Sequence, residues 1–313
     1  MRQGRAAVIG MFDGVHRGHR FLLDCLRKES HLRGLTPEIF TFPGHPLSVV
    51  APGKAPRLLT EPEEKLRLLT EAGFPVNHIN FMVFDEYTRA LTADRFMEML
   101  SAKYGVSLIV RGFNNRFGTE RHLTAEDYRR LAADHGIELI DALPYMGEGT
   151  KPIEISSSLI RQKLEQGNVQ EAASLLGHPY SMSGPVVSGK QLGRRIGFPT
   201  ANIVCRHPSK LIPPDGVYVC KAFTETISGV SETSGRAFRA MVNIGSRPTV
   251  DGPGAMRTIE AHILDFREDL YGKELTLWFY GRLRDEVKFG SIGELELQLE
   301  KDCEETQKFP IPD

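Results

Sequence analysis

Close to its start the chain reads Ile9-Gly10-Met11-Phe12-Asp13-Gly14-Val15-His16-Arg17-Gly18-His19-Arg20, a glycine-rich turn between two patterned runs. Ala6 to Ile9, ahead of it, is short and apolar, as a buried strand is. Phe21 to Arg33, behind it, sets Phe21, Leu22, Cys25, Leu26 and Leu32 close to a helical repeat. A strand that turns tightly into a helix leaves the first helical N–H groups without intrahelical partners, and such a terminus attracts anions. Gly14 and Gly18 remove side chains where a phosphate could approach the backbone. His16 and His19 stand three apart, so on a first helical turn both rings can face one anion. A lone histidine at such a junction is usually a solvated one. Two that bracket a glycine point to a nucleotide site.

The alternation goes on. Pro37 to Phe42 reads as a second strand, ending at Pro43-Gly44-His45-Pro46. Thr60-Glu61-Pro62-Glu63 opens a helix with Thr60 as its cap, proline early and carboxylates at the positive end. That helix carries Leu66, Leu68 and Leu69 and stops near Gly73. Strands at Ile79 to Phe84, Val106 to Val110 and Ile137 to Ala142 then alternate with helices at Ala93 to Tyr104 and Ala125 to His135. This order predicts an open, mostly parallel α/β sheet, whose ligands sit beyond the carboxyl ends of the strands, where the Gly10 to His19 turn would lie.

Two more pieces fall at strand ends. Arg111-Gly112-Phe113-Asn114-Asn115-Arg116-Phe117-Gly118 is a polar, aromatic loop that composition alone does not distinguish from an ordinary one. Ile155-Ser156-Ser157-Ser158-Leu159-Ile160-Arg161 opens a helix; its serines are good caps, and Arg161 lies over the same first turn as Ser158. Two short helices divided at Gly167-Asn168 end at Gly177-His178-Pro179. The boundary is placed there, giving domains 1–178 and 179–313.

A chain of 313 residues is long for one core, and two domains agree with that. A net charge of −1 provides no global field for nucleic acid or an anionic membrane, so a polyanionic ligand must meet local charge. Cys25, Cys205, Cys220 and Cys303 are scattered without a CxxC pair, which argues against a zinc site or disulfide framework and fits a reducing compartment. With no membrane-length apolar run and no signal-peptide pattern, the expectation is a soluble, cytoplasmic protein. Its oligomeric state is left open.

From Tyr180 the helical period nearly vanishes. Runs at Tyr180 to Val187, Val217 to Phe223, Phe238 to Ile244, Thr258 to Leu264 and Leu275 to Phe279 predict a small antiparallel barrel, with a helix only at Ile292 to Glu304. The polar piece Glu225 to Arg236 reads as a mobile hairpin insertion. The string Gly189-Lys190-Gln191-Leu192-Gly193-Arg194-Arg195-Ile196-Gly197-Phe198-Pro199-Thr200-Ala201-Asn202 is glycine-rich and basic, suited to wrapping phosphates, and it is not a Walker loop. Thr200 and Asn202 alternate along an extended run and so point the same way, offering two neutral oxygens to a hard cation such as Mg²⁺.

These motifs resemble those of a known family. The two histidines around Gly18 are similar to the HxGH signature of nucleotidyltransferases, and with Phe12-Asp13-Gly14 ahead of them they resemble the adenylyltransferase module of bacterial bifunctional riboflavin kinase/FAD synthetases. The Ser156 to Arg161 stretch resembles the superfamily's ISSTxxR signature, with Ser158 in place of the usual threonine. The Gly189 to Asn202 string resembles the riboflavin kinase signature. So do Gly216-Val217-Tyr218, Asn243 to Thr249, Asp269-Leu270-Tyr271-Gly272 and Leu283 to Phe289, in the family's order.

The resemblance implies a nucleotidyltransferase-like, Rossmann-like α/β N-terminal domain and an all-β riboflavin kinase-like barrel with a C-terminal helix. It implies ATP-dependent phosphorylation of riboflavin to FMN, then adenylylation of FMN to FAD, with Mg²⁺ as the metal. It makes Glu260 the base, in Ile259-Glu260-Ala261-His262-Ile263-Leu264-Asp265-Phe266, and assigns charge stabilisation to His16, His19 and Arg161. Gly10, Phe12, Asp13, Gly14, Gly18 and Ser156 to Ser158 would surround the nucleotide, and Asn114 would touch the flavin. Gly193, Arg194, Gly197 and Pro199 would line the kinase's nucleotide site, with Thr200 and Asn202 on the metal. Two competing readings are a kinase whose front domain only binds flavin or nucleotide, and a non-enzymatic flavin sensor.

Overall fold

The parallel sheet forms because apolar strand residues at its centre bury both faces. In the computed structural model, which describes residues 4–113, 115–120, 122–147, 154–189, 192–224, 236–247 and 256–312, backbone packing divides the chain into units Met1–Ser157 and Ser158–Asp313. The first unit runs β1 (Arg5–Ile9), α1 (Arg17–Arg33), β2 (Thr36–Thr41), α2 (Leu47–Val50), α3 (Pro62–Glu71), β3 (Ile79–Phe81), α4 (Glu86–Ala90), α5 (Ala93–Tyr104), β4 (Val106–Gly112), α6 (Ala125–Asp134) and β5 (Glu138–Ala142). Its five strands lie parallel in the order β3-β2-β1-β4-β5. Successive residues of β1 alternate sides. Ala6 and Val8 pack with Leu23, Leu26, Leu68 and Leu69 on one face, whereas Ala7 and Ile9 pack with Phe96, Met97, Leu100 and Tyr128 on the other. Two covered faces are what an all-parallel sheet requires. The chain leaves β1 toward β2 on one side, and β4 fills the other. The turn after Ile9 therefore emerges at the switch point, where α/β sheets bind ligands.

Thr60 departs from its expected role. The cap of α3 is Glu61, in a box with Glu64, and Thr60 is buried one residue earlier because Asp13 needs its donors. The third strand is shorter than the apolar run suggested, and α2 and α4 are added turns.

The second unit opens with α7 (Ser157–Glu165) and α8 (Val169–Leu176), then β6 (Tyr180–Val187), α9 (Leu192–Arg195), β7 (Ala201–Ile203), β8 (Gly216–Phe223), β9 (Ala237–Arg247), β10 (Met256–Ile263), β11 (Glu274–Arg284) and α10 (Ile292–Lys308). Its six strands close as β10-β7-β6-β11-β8-β9, a barrel with no free edge. Helix α8 packs on β6 and β11, burying Val169, Ala172 and Leu176. Of the expected hairpin insertion, Glu225 to Arg236, residues 225–235 lie outside the described residues.

Candidate active sites

In the first unit the β1–α1 turn is held in a conformation most side chains avoid. Phe12 and Val15 have φ of 47° and 37°, and Gly14 has 84°. Non-glycine residues keep such angles only where surroundings fix them. The Asp13 carboxylate supplies the fixing. It accepts from Leu59 N (2.9 Å), Thr60 N (3.0 Å) and the Thr60 hydroxyl (3.2 Å), while that hydroxyl accepts from Gly14 N at 3.0 Å. Phe12 is 1 % exposed and meets the His19 ring edge-on. Phe12 and Asp13 thus sit behind the turn.

His16 caps α1. Its Nδ1 accepts from the His19 backbone N–H at 3.3 Å, so its proton lies on Nε2 and the ring is a neutral donor. The two imidazoles stack with centroids 3.6 Å apart. A Cβ on Gly18 would stand 3.2 Å from the His16 ring, so this glycine makes room for the histidine as well as for any ligand. Gly10 is similar, its missing Cβ 3.2 Å from the Phe12 ring. His19 is half-buried as a residue, yet its Nδ1 is shut off from water and has no partner among the described residues. Burial, then His16, then Lys65 hold its pKa well below 6.5, so it too is neutral at pH 7.

Ser157 reaches the turn, its hydroxyl donating to Asp13 O at 2.9 Å. Ser156 adjoins it, whereas Ser158 and Arg161 fall in the second unit by backbone packing. The β4 loop is pinned at both ends: Asn115 Nδ2 donates to Ile9 O, and Tyr128 donates to Phe117 O at 2.7 Å, with Phe117 buried in the core. Asn114, between them, lies outside the described residues. Sequence reading missed Lys65, which is fully buried here. Its place three and four residues before Leu68 and Leu69, on the apolar face of α3, was the available signal.

In the second unit the closed barrel makes a lateral row. Glu260 of β10 stands opposite Asn202 of β7 on one side and Asn243 of β9 on the other. Residues opposed across strands share a face. All three line a cavity of about 300 Å³ with Gly193, Thr200 and His262. Thr200 and Asn202 both line this cavity. Thr200 also borders a second cavity, of about 410 Å³, lined by Arg194, Pro199, Asp269 and Tyr271. The glycines set these walls. The Gly193 carbonyl accepts from Phe198 N at 2.8 Å, and a Cβ on Gly193 would lie 2.2 Å from Phe198 O. Gly197 has φ of 85°. A Cβ on Gly189 would strike Asn202 Nδ2 at 2.3 Å, so Gly189 lets that amide take its place.

Across the smaller cavity, Val287, Phe289, Leu295 and Leu299 form an apolar side. Helix α10 is fastened there by Arg284, whose Nε and Nη2 reach Asp302 at 3.0 and 2.6 Å. Asp302 is 1 % exposed and is a second residue that sequence reading left without a role. It lies on the helix read at Ile292 to Glu304, with no motif to flag it. Among the described residues no cluster of three or more His, Cys, Asp or Glu could hold a metal by itself.

A nucleotidyltransferase-like parallel sheet and a closed antiparallel barrel with a C-terminal helix define a two-module transferase. Residues 1–159 match the family described as FAD synthetase, and residues 176–310 the family described as riboflavin kinase. The bifunctional riboflavin kinase/FMN adenylyltransferase of Escherichia coli (strain K12) is 37% identical over 96% of this chain and 91% of its own. The protein of the same description from Bacillus subtilis (strain 168) is 33% identical over 96% and 91%. A crystal structure described as a macrolide-efflux protein from Streptococcus pneumoniae has a TM-score of 0.85 at 32% identity, covering 99% of this chain and 96% of that one. Efflux is said there of that protein; here no helix among the described residues is long and apolar enough to cross a membrane. The chain belongs to the bifunctional riboflavin kinase/FMN adenylyltransferase family.

Proposed function

We propose that the barrel phosphorylates riboflavin at the row Asn202–Glu260–Asn243, and that the β1–α1 turn of the first unit adenylylates the resulting FMN. The observation that carries the kinase half is that Glu260, distant in sequence from Thr200 and Asn202, lines one cavity with them. Glu260 takes the proton of the ribityl terminal hydroxyl as that oxygen attacks the γ-phosphorus of ATP, the bond to the β–γ bridging oxygen breaks and ADP leaves. Flavin suits the cavity with the apolar Val287, Phe289, Leu295 and Leu299 side. Nucleotide suits the adjoining one, beside Arg194, Pro199 and the Gly193–Gly197 turn. The donor set fits Mg²⁺ bound with ATP: Thr200 and Asn202, two neutral oxygens lining one cavity with the Glu260 carboxylate, are the residues that would hold it. Such a cation neutralises charge across the phosphates. Asn202 is kept ready for it by the missing side chain of Gly189.

In the adenylyl step the FMN phosphate attacks the α-phosphorus and pyrophosphate leaves, with no covalent intermediate. His16 presents an Nε2–H and His19 a neutral imidazole, so both serve as hydrogen-bonding groups to the phosphates. The positive charge comes from Arg161 of the Ser156–Arg161 motif. Gly10, Gly14 and Gly18 keep the turn close-packed in front of Phe12 and Asp13, while Asn114 contacts the flavin. Residues 1–178 and 179–313 are the two functional modules. ATP and free flavins as substrates, with no nucleic-acid or membrane partner, support a cytoplasmic setting. Incubation with riboflavin, ATP and Mg²⁺ followed by chromatography tests this: FMN appears first and FAD follows. FMN alone would mean that the first unit only binds, and no product would leave the barrel a sensor.

A further inference from the structure

Behind the β1–α1 turn sits a cation that no step above uses. Lys65 of α3 is 0 % exposed, and no carboxylate among the described residues comes within ion-pair distance of it. Of the ammonium's three N–H groups, one donates to Phe42 O at 2.7 Å, beside the carboxyl end of β2. Burying a charge without a counter-charge is costly, and Leu68 and Leu69 on the same helix fill their space with no such cost. The surroundings say what the charge faces. Asp13 acts on it from the turn, and it acts in turn on His19 of α1, on which His16 is stacked. On its own helix, Glu61 and Glu64 are occupied by the capping box. The start of α3 is tied to the same turn through Thr60 and Asp13. A buried ammonium with a lowered pKa beside a candidate site is a candidate for a functional role.

We infer that Lys65 is a positioning residue of the adenylyl centre: its ammonium ties the end of β2 to α3, whose start holds Asp13 through Thr60, and sets a fixed positive charge beside the turn on which a polyanionic nucleotide docks. The inference rests on the reading of the His16–His19 turn as that centre. Its consequence is division of labour. The charge lies on Lys65, and the imidazole, its pKa lowered, is left to hydrogen-bond the phosphates. Lys65 itself is pushed down to about 8 by burial, with Asp13 opposing, so it loses its proton on the alkaline side.

The test is Lys65→Met in the full chain, with FAD formation from FMN and ATP followed by chromatography from pH 6 to 9. Riboflavin phosphorylation in the same preparation, thermal melting, and histidine NMR assigned with His19→Gln complete it. Lost preorganisation predicts a fall in the rate of FAD formation on the order of 10²-fold. Kinase activity stays at the parental level, the melting temperature at pH 7 stays equal or rises, and the His19 titration moves up, with burial and His16 still holding it below 6.5. The parental enzyme loses FAD formation above about pH 8 through Lys65, a limb absent from the variant. A parental FAD rate in Lys65→Met overturns the inference. So does a lowered rate with a lower melting temperature and an unmoved His19 titration, which is the behaviour of a merely structural lysine. If His19→Ala also makes FAD at the parental rate, the fault lies in the location of the centre rather than in Lys65.

Discussion

His19 shows how one residue's environment sets its chemistry. Motif spacing places it at a helix start, where a cation would be expected to greet phosphate. The structure instead holds it neutral by burial, by His16 and by Lys65. A histidine whose folded pKa is depressed contributes stability that is complete above its unfolded value of 6.5 and is lost as the pH falls through the folded value. The first unit should therefore melt at progressively lower temperature below about pH 6.5, and His19→Gln should show a shallower fall. Equal slopes in parent and variant would remove His19 from the acid sensitivity. In the barrel, Thr200→Ala and Asn202→Ala each replace an oxygen by a methyl or hydrogen and should raise the Mg²⁺ concentration needed for half-maximal FMN formation. Unchanged Mg²⁺ titrations in both would leave these residues a purely structural place. Sequence showed these side chains because each sits in a motif. Lys65 and Asp302 were invisible because a charged residue on a helix reads as solvated, and only the fold shows that both are enclosed.

At the scale of elements, most boundaries were legible, since period and punctuation carry them: α5 and β6 begin and end where the pattern does. What pattern could not supply was who packs on whom. Gly184 lies mid-strand in β6, and a Cβ there would stand 1.9 Å from Val204 O, a backbone atom that cannot swing aside. Gly184→Ala should destabilise the barrel by about 1–3 kcal/mol, seen as a lower melting temperature of that unit and unchanged FAD formation from FMN. An unshifted melt would show that β7 yields freely. Helix α8 makes the same point. Sequence puts it with the first half, yet its apolar side is buried on β6 and β11. A fragment spanning 158–313 should melt cooperatively at a higher temperature than one spanning 179–313, because the shorter piece uncovers that strand surface. Identical melts would show α8 to be dispensable to the barrel.

For the molecule as a whole, the account rests on two separate centres in one chain. The row of Asn202, Glu260 and Asn243 is made by barrel closure within the second unit, and the histidine stack by the switch point of the parallel sheet within the first. Neither uses the other's residues for its proposed base or stacked donors, so each chemistry should be removable alone. The direct measurement is a reciprocal pair of variants assayed by chromatography, each first shown to melt cooperatively. Glu260→Gln keeps shape but cannot take a proton, and should lower riboflavin phosphorylation by roughly 10²–10⁴-fold while still converting supplied FMN to FAD. His19→Ala should phosphorylate riboflavin at the parental rate and accumulate FMN without FAD. If either folded variant loses both activities together, or keeps both, the chain does not work through two independent centres and the account is wrong.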